Sequence, residues 1–266
     1  MSDPRITLPP SISKPLFTGQ VAKASTALYD NKTLRRGIQT ELLFGQTFTV
    51  YAQSRLWVWG QAHSLIRGSA RKGYIGYISR KNLTHTGETV THKVTALRAP
   101  VFTQSNIKSF IRYHLPMNAH IPVVEDMGDF VQIDDGHYCH KRHIEKIDVY
   151  TDLDFVSVAE RFLGAPYVWG GTGHMGLDCS GLVQMALCAV GVDAPRDADM
   201  QESDLGVTVN GDLKRGDLVF WSGHVGIMSD AKTLLHANAY HMETTKEPIQ
   251  EAFNRIGKAR TVKRFS

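Results

Sequence analysis

Cys179 stands where a turn meets a helical pattern, in the stretch GLDCSGLVQMAL between Gly176 and Leu187. Only the thiolate of a cysteine attacks well, and a free thiol with a pKa of about 8.5 is activated by a helix N-terminus or a nearby imidazolium. Asp178 or a neighbour caps the helix here, so Cys179 falls in its first turn. Unpaired backbone N–H groups then face the sulfur and can also hold an oxyanion on an attacked carbonyl. Gly176 and Gly181 are expected to keep space for a substrate backbone. A nucleophilic cysteine needs a base, and the base needs an orienting partner. SGHVGIM offers His224 at the start of a strand, and TLLHANA offers His236 at the end of the next. If these strands pair antiparallel about the Ser229–Lys232 turn, their far ends meet. Cys179 is then the nucleophile, His224 the base and acid, and His236 the group that fixes the tautomer of His224.

The other candidates carry less. Cys188 lies among Ala and Val in the helix and Cys139 in a β-turn context, and both read as structural. His174 precedes Cys179 in a loop and His241 follows the His236 strand; an exposed loop position and a structural role suit them. Trp169 and Trp221 suit core or cleft wall. Neither HExxH nor C-x-x-C occurs, so no metal site is expected, and nothing points to an organic cofactor. Asp178 beside a thiol should raise its pKa. It makes sense as a plain helix cap or as the partner of a cation such as a substrate ammonium.

The elements that must position these groups are α+β in type. DLDFVSVAERFLG has Phe155, Val158, Ala159 and Phe162 at helical spacing, with Asp154 as cap and Gly164 as stop. Leu182, Val183, Ala186, Leu187 and Val190 mark one face of the helix after Cys179, which ends at Gly191. GDLVFWSG, HVGIMSD and TLLHANAY read as three short strands, and Glu247 to Ile256 as a final amphipathic helix. Ahead of them, Leu42 to Leu83 and Lys93 to Val149 are strand-like and share a weak repeat, which suggests two small β-barrels. The organisation expected is a tether over 1–24, barrels over 25–88 and 89–149, and a catalytic domain over 150–266.

The 266 residues are 42% hydrophobic and 21% charged, as a packed globular chain should be. The net charge of +4 is spread out, so no nucleic-acid partner is expected. No apolar run is long enough for a membrane span, and Met1 to Gln20 lacks the apolar core of a secretory signal. Three cysteines are an odd and sparse set that suits a reducing compartment, so a cytoplasmic location is the expectation; no residue sets the oligomeric state, and a monomer is expected by default.

PYVWGGTGHMGLDCSGLVQ, APRDADMQ, RGDLVFWSGHVGIM and LLHANA, in that order from about Val156 to Ile256, together resemble the NlpC/p60 cysteine peptidases of bacteria. The resemblance implies a papain-like core that cuts wall peptides between γ-linked D-glutamate and the following diamino acid, diaminopimelate or lysine. By motif position it makes Cys179 the nucleophile, His224 the base and His236 the third polar residue. It sets Tyr167 near the oxyanion and has Asp178 and Ser180 bind the free amine of an N-terminal L-alanine. TELLFGQTFTVY, LWVWGQ and GYIGYI, within about Gln20 to Ile147, resemble the paired SH3-like barrels of a cytosolic dipeptidyl-peptidase subgroup. There a tyrosine of the first barrel closes the groove; Tyr74 is the candidate here, with Tyr77 and Trp57 as alternatives. The whole implies an enzyme that recycles free murein tri- and tetrapeptides and releases L-Ala-D-Glu. An exported hydrolase of intact wall and a non-catalytic wall-peptide module remain as alternatives.

Overall fold

The computed structural model describes residues 3–12, 14–33, 37–84, 89–133, 136–173 and 175–265. His174 and the barrel boundary expected at residue 88 lie outside them. The chain divides into two compact units, Met1–Tyr150 and Thr151–Ser266.

The N-terminal unit is built of antiparallel strands. Phe17–Val21 pairs with Thr47–Gln53 on one side and Leu83–Thr84 on the other, and Trp57–His63 and Lys72–Ser79 complete a five-stranded sheet. Within the tether expected over 1–24, Phe17–Val21 is thus a strand of this sheet. The prolines at 4, 9, 10 and 15 disguised a strand that packs closely: a Cβ on Gly19 would lie 2.2 Å from the Thr84 carbonyl oxygen. Farther upstream, the Arg5 carbonyl accepts from the Ile75 N–H at 2.8 Å. A second five-stranded sheet runs from Arg98–Phe102 to His137–His140, beside a three-stranded one that holds His92–Val94 at its centre. Among the described residues each sheet ends in two edge strands, so the expected closed barrels are open sheets here. Tyr74 is buried in Lys72–Ser79, at 4% exposure. Tyr77, in the same strand, is half-buried under the Lys32 ammonium, and Trp57 meets Tyr29 edge-on.

The C-terminal unit holds α1 (Phe155–Glu160), the short pair β1 (Thr172–Gly173) and β2 (Gly176–Leu177), α2 (Cys179–Ala189) and α3 (Ala198–Asp204). Then come β3 (Val207–Thr208), β4 (Leu218–Trp221), β5 (His224–Met228), β6 (Thr233–Asn238), β7 (Glu243–Pro248), α4 (Ile249–Ile256) and β8 (Thr261–Arg264). Strands β3 to β8 form one antiparallel sheet in the order β3-β8-β4-β5-β6-β7. Helix α2 packs on β5 and β6 and on α1. The other face of the sheet is closed by α4, where Ile249 and Ala252 meet Val219, Trp221, Met228 and Leu234. Covered on both faces, β4 to β6 are buried almost throughout and are mostly apolar without alternation.

Two boundaries differ from the sequence reading. Helix α1 starts on its Asp154 cap, which accepts from the Ser157 N–H at 3.0 Å, but ends at Glu160; the chain leaves by turns to Gly164 at φ +77°. The last helix starts at Ile249, and Glu247 and Pro248 close strand β7 instead. The register of β6 and β7 sets His236 opposite Thr245 and Leu234 opposite Glu247. Side chains two apart share a face, so Glu247 lies on the diagonal from His236, on the same side of the sheet.

Candidate active site

The start of α2 is fastened through one carboxylate. Asp178 caps the helix by accepting from the Gly181 N–H at 2.7 Å, and it also accepts from the Gly170 N–H at 2.9 Å and the Ser180 hydroxyl at 3.3 Å. Arg196 adds two bonds, Nη1 to Oδ1 at 2.9 Å and Nη2 to Oδ2 at 2.6 Å. Nη1 of Arg196 also donates to the Ser180 hydroxyl at 3.0 Å. Both ions are buried, Asp178 at 7% and Arg196 at 6% exposure. Gln201, in α3, pins the arrangement by donating to the carbonyls of Ser180 and Pro195, each at 2.9 Å. The cation that Asp178 faces is thus Arg196, and its carboxylate has no lone pair left for a substrate ammonium. Ser180 is likewise committed to its neighbours.

Arg196 lies in APRDADMQ, where the sequence pattern assigns it no role. The signal was present: a buried Asp next to a cysteine demands a cation. The glycines also act differently from expectation. A Cβ on Gly181 would fall 2.3 Å from the Gly171 carbonyl oxygen, and Gly176, at φ +149°, lies against the Pro166 carbonyl. They admit the protein's own backbone, not a substrate's.

Strand β5 carries the candidate base. His224 is its first residue, and Nε2 of His224 lies 2.8 Å from Nδ1 of His236, with ring centroids 5.1 Å apart. Gly226 makes room for this approach, since a Cβ there would sit 3.3 Å from that of His236. Nε2 of His224 being engaged, Nδ1 is the nitrogen left for chemistry. The Cys179 sulfur sits at the same strand start, where the N–H of Val225 reaches it. Tyr167 is half-buried, held by its N–H on the Met242 carbonyl at 2.9 Å, and its phenol feels the charges of both Cys179 and Asp178.

Behind His236 stand two residues that sequence reasoning missed. Nε2 of His236 is 2.8 Å from Oε1 of Glu247, an attractive distance, although the N–H is off the straight line of a regular hydrogen bond. Arg255 grips both oxygens of Glu247, at 2.9 Å from Nη1 to Oε2 and by Nη2 on Oε1. The Tyr240 ring lies 4.3 Å from the Arg255 guanidinium carbon. His236 is fully buried and Glu247 is 5% exposed. His236, His241 and Glu247 are also, among the described residues, the group whose metal-ligand atoms lie within 4.8 Å of one another. Both carboxylate oxygens already hold the guanidinium, whose charge a dication would have to displace.

Burial dominates the electrostatics. It pushes the Cys179 thiol up to about 11, aided by the Asp178 charge, against the N–H groups of Val225 and Ser180 and the charge of Arg196. The lowering expected from the helix N-terminus is outweighed because the sulfur has left water. Burial, with the charge of Arg255, takes His224 down to about 4 against Glu247. Burial and the charge of His224 take His236 down to about 3. Both shifts favour the uncharged forms, a thiol at Cys179 and a neutral imidazole at His224. Tyr167, raised to about 12 by burial and then by the charges of Cys179 and Asp178, keeps its proton and stays a donor.

With His236 fully buried and His224 partly buried, the fold is expected to be acid-sensitive. An unfolded histidine titrates near 6.5, above the folded values, so between pH 6.5 and about 4 the unfolded chain binds more protons. Their contribution is complete above pH 6.5 and is lost as pH falls toward 4. For His224 alone, the drop to about 4 corresponds to about 3 kcal/mol at 1.36 kcal/mol per pH unit. His120 in the N-terminal unit, also lowered to about 4 by burial, acts in the same direction. The melting temperature, followed by circular dichroism at stepped pH, should fall steeply from pH 6.5 to 4; a flat profile would contradict the buried neutral state.

Residues 164–261 match the NlpC/P60 family, and the matched stretch holds Cys179, His224 and His236. Gamma-D-glutamyl-L-lysine dipeptidyl-peptidase of Bacillus subtilis is 26% identical over 216 residues, 75% of this chain and 72% of that protein. The protein of the same name from Bacillus cereus is 26% identical over 240 residues, 82% of this chain and 70% of that protein. The crystal structure of an NlpC/P60 family protein from Bacillus cereus shares the fold, with a TM-score of 0.79 at 21% identity, covering 93% of this chain and 99% of that one. The chain therefore carries a domain of the NlpC/P60 kind. Relatives that span most of its length are named peptidases.

Proposed function

We propose that this protein is a cysteine peptidase that hydrolyses the bond between γ-linked D-glutamate and the following L-diamino acid in free peptidoglycan-derived peptides, releasing L-Ala-D-Glu. The observation that carries the reading is the meeting of Cys179, at the first turn of α2, with the start of β5, where His224 hydrogen-bonds His236. The bond and the dipeptide unit are taken from the names of the two Bacillus relatives. We read the N-terminal sheets as two SH3-like modules. We assign the work to the cytoplasm, where three free cysteines are at home.

In this reading the sulfur attacks the γ-carbonyl carbon while Nδ1 of His224 takes the thiol proton. The oxyanion is met by the Cys179 N–H at the helix start and by the Tyr167 hydroxyl. As the tetrahedral species collapses, the C–N bond breaks and His224 returns the proton to the leaving amine. Water, deprotonated by His224, then releases the acyl group from sulfur.

The test is a pair of digests followed by mass spectrometry, on L-Ala-γ-D-Glu-diaminopimelate with a free amine and on its N-acetyl form. Cleavage of the free-amine peptide alone supports a dipeptidyl-peptidase of released fragments. Equal cleavage of both would replace it by a hydrolase of intact wall, and cleavage of neither would remove the substrate assignment. Because Asp178 already accepts from Arg196, Gly170, Gly181 and Ser180, a preference for the free amine is expected to rest on another group.

A further inference from the structure

We propose that Glu247 is a positioning residue of this site, which sets the proton positions on both histidines so that His224 presents a bare Nδ1 to Cys179, with Arg255 holding Glu247 in place. The inference rests on the reading of Cys179 and His224 as nucleophile and base. A neutral imidazole has one donor nitrogen and one acceptor nitrogen. The 2.8 Å contact between Nε2 of His224 and Nδ1 of His236 can therefore form in two ways. If His236 donates, His224 must carry its own proton on Nδ1 and cannot act as a base. If His224 donates, its Nδ1 is free to take the thiol proton. The histidine pair alone does not choose between them.

Glu247 does. A carboxylate only accepts, so Oε1 at 2.8 Å from Nε2 of His236 favours the proton on that nitrogen. In the neutral ring this leaves Nδ1 of His236 as acceptor, and His224 must donate to it. The two bonds from Arg255 keep Glu247 an acceptor. Burial pushes the Glu247 carboxyl up, but Arg255 and His236 more than reverse it. The groups around the carboxylate are His236 from β6, His241 from the turn after it and Arg255 from α4; Tyr240 and Glu251 flank Arg255, and His224 of β5 stands behind His236. The same carboxylate, acting through His236, also steadies the imidazolium that forms when His224 takes the proton.

The test compares wild type with Glu247→Gln and Glu247→Asp, reading the rate at which iodoacetamide alkylates Cys179 as a function of pH. The amide has no charge and can donate to His236, which permits the inactive arrangement. Alkylation by Glu247→Gln below pH 8 is expected to fall at least ~10-fold, well within the ~10⁴-fold that a wrong histidine tautomer costs a catalytic triad, and to follow the profile of an unassisted thiol. Glu247→Asp keeps the charge and should recover part of the rate. On the tripeptide, kcat should fall in the same order with KM little changed. A Glu247→Gln protein with wild-type melting temperature and an unchanged alkylation profile would overturn the proposal. If that variant does not fold, Arg255→Met, which frees Glu247 from its clamp, should shift the profile the same way; no shift would overturn it equally. A shifted profile in an enzyme that leaves the peptide uncut supports the relay and removes only the substrate assignment.

Discussion

Cys179→Ala is expected to end peptide hydrolysis, with a fall in kcat of at least ~10⁴-fold, as for nucleophiles of other acyl-transfer sites. Among the described residues, neither the neighbouring hydroxyl nor another thiol is placed to replace the sulfur. The Ser180 hydroxyl adjoins it but accepts from Arg196 and donates to Asp178. Cys188 is buried farther along α2, and Cys139 lies in the N-terminal unit with its thiol pushed up to about 12 by burial. The substitution removes one buried sulfur beside a satisfied cap, so the melting temperature should change little. Product formation by mass spectrometry is the measurement, with Cys188→Ala as a control that keeps full activity. Hydrolysis by a clean Cys179→Ala preparation would remove this residue from the nucleophile's role.

Arg196→Ala should have the largest effect on stability. It leaves the Asp178 carboxylate buried with backbone and hydroxyl donors but no cation, and breaking a buried pair in this way costs about 3–5 kcal/mol. The melting temperature is expected to fall on the order of 15 °C. The guanidinium also spans elements, since it reaches the Gly171 carbonyl at 3.4 Å as well as Ser180. Its loss should therefore loosen the loop that leads into α2. Chemistry should suffer too: Arg196 is one of the groups that pull the Cys179 thiol down and Asp178 one that pushes it up. Arg196→Lys restores a charge but not the forked contact, so it should recover only part of the stability. Melts of the two variants decide the matter. An Arg196→Ala protein as stable as wild type would show that water reaches Asp178.

Much of the C-terminal unit was readable locally. Helix α2 and its Asp178 cap follow from apolar spacing and one preferred cap residue; β4 to β6 follow from short apolar runs between Gly, Ser and Asp. Strand β7 was not readable, because ETTKEP has no apolar alternation. It is a strand because it pairs along all of β6, with Thr244 and Glu247 buried by partners the local pattern does not show. Phe17–Val21 escaped notice for a related reason: its neighbours in the sheet lie about thirty and sixty residues away.

The sequence by itself determined which groups are at hand: a cysteine at a helix start, two histidines on strands that form a hairpin, and the motif order that matches the NlpC/P60 family. These are matters of spacing, and spacing is local. Only the tertiary structure decided the state of those groups. Arg196 meets Asp178, and Glu247 with Arg255 stands behind His236, through contacts between separate elements. Whether the thiol rests neutral and which nitrogen holds each proton depends on burial and on charges that folding alone brings within reach.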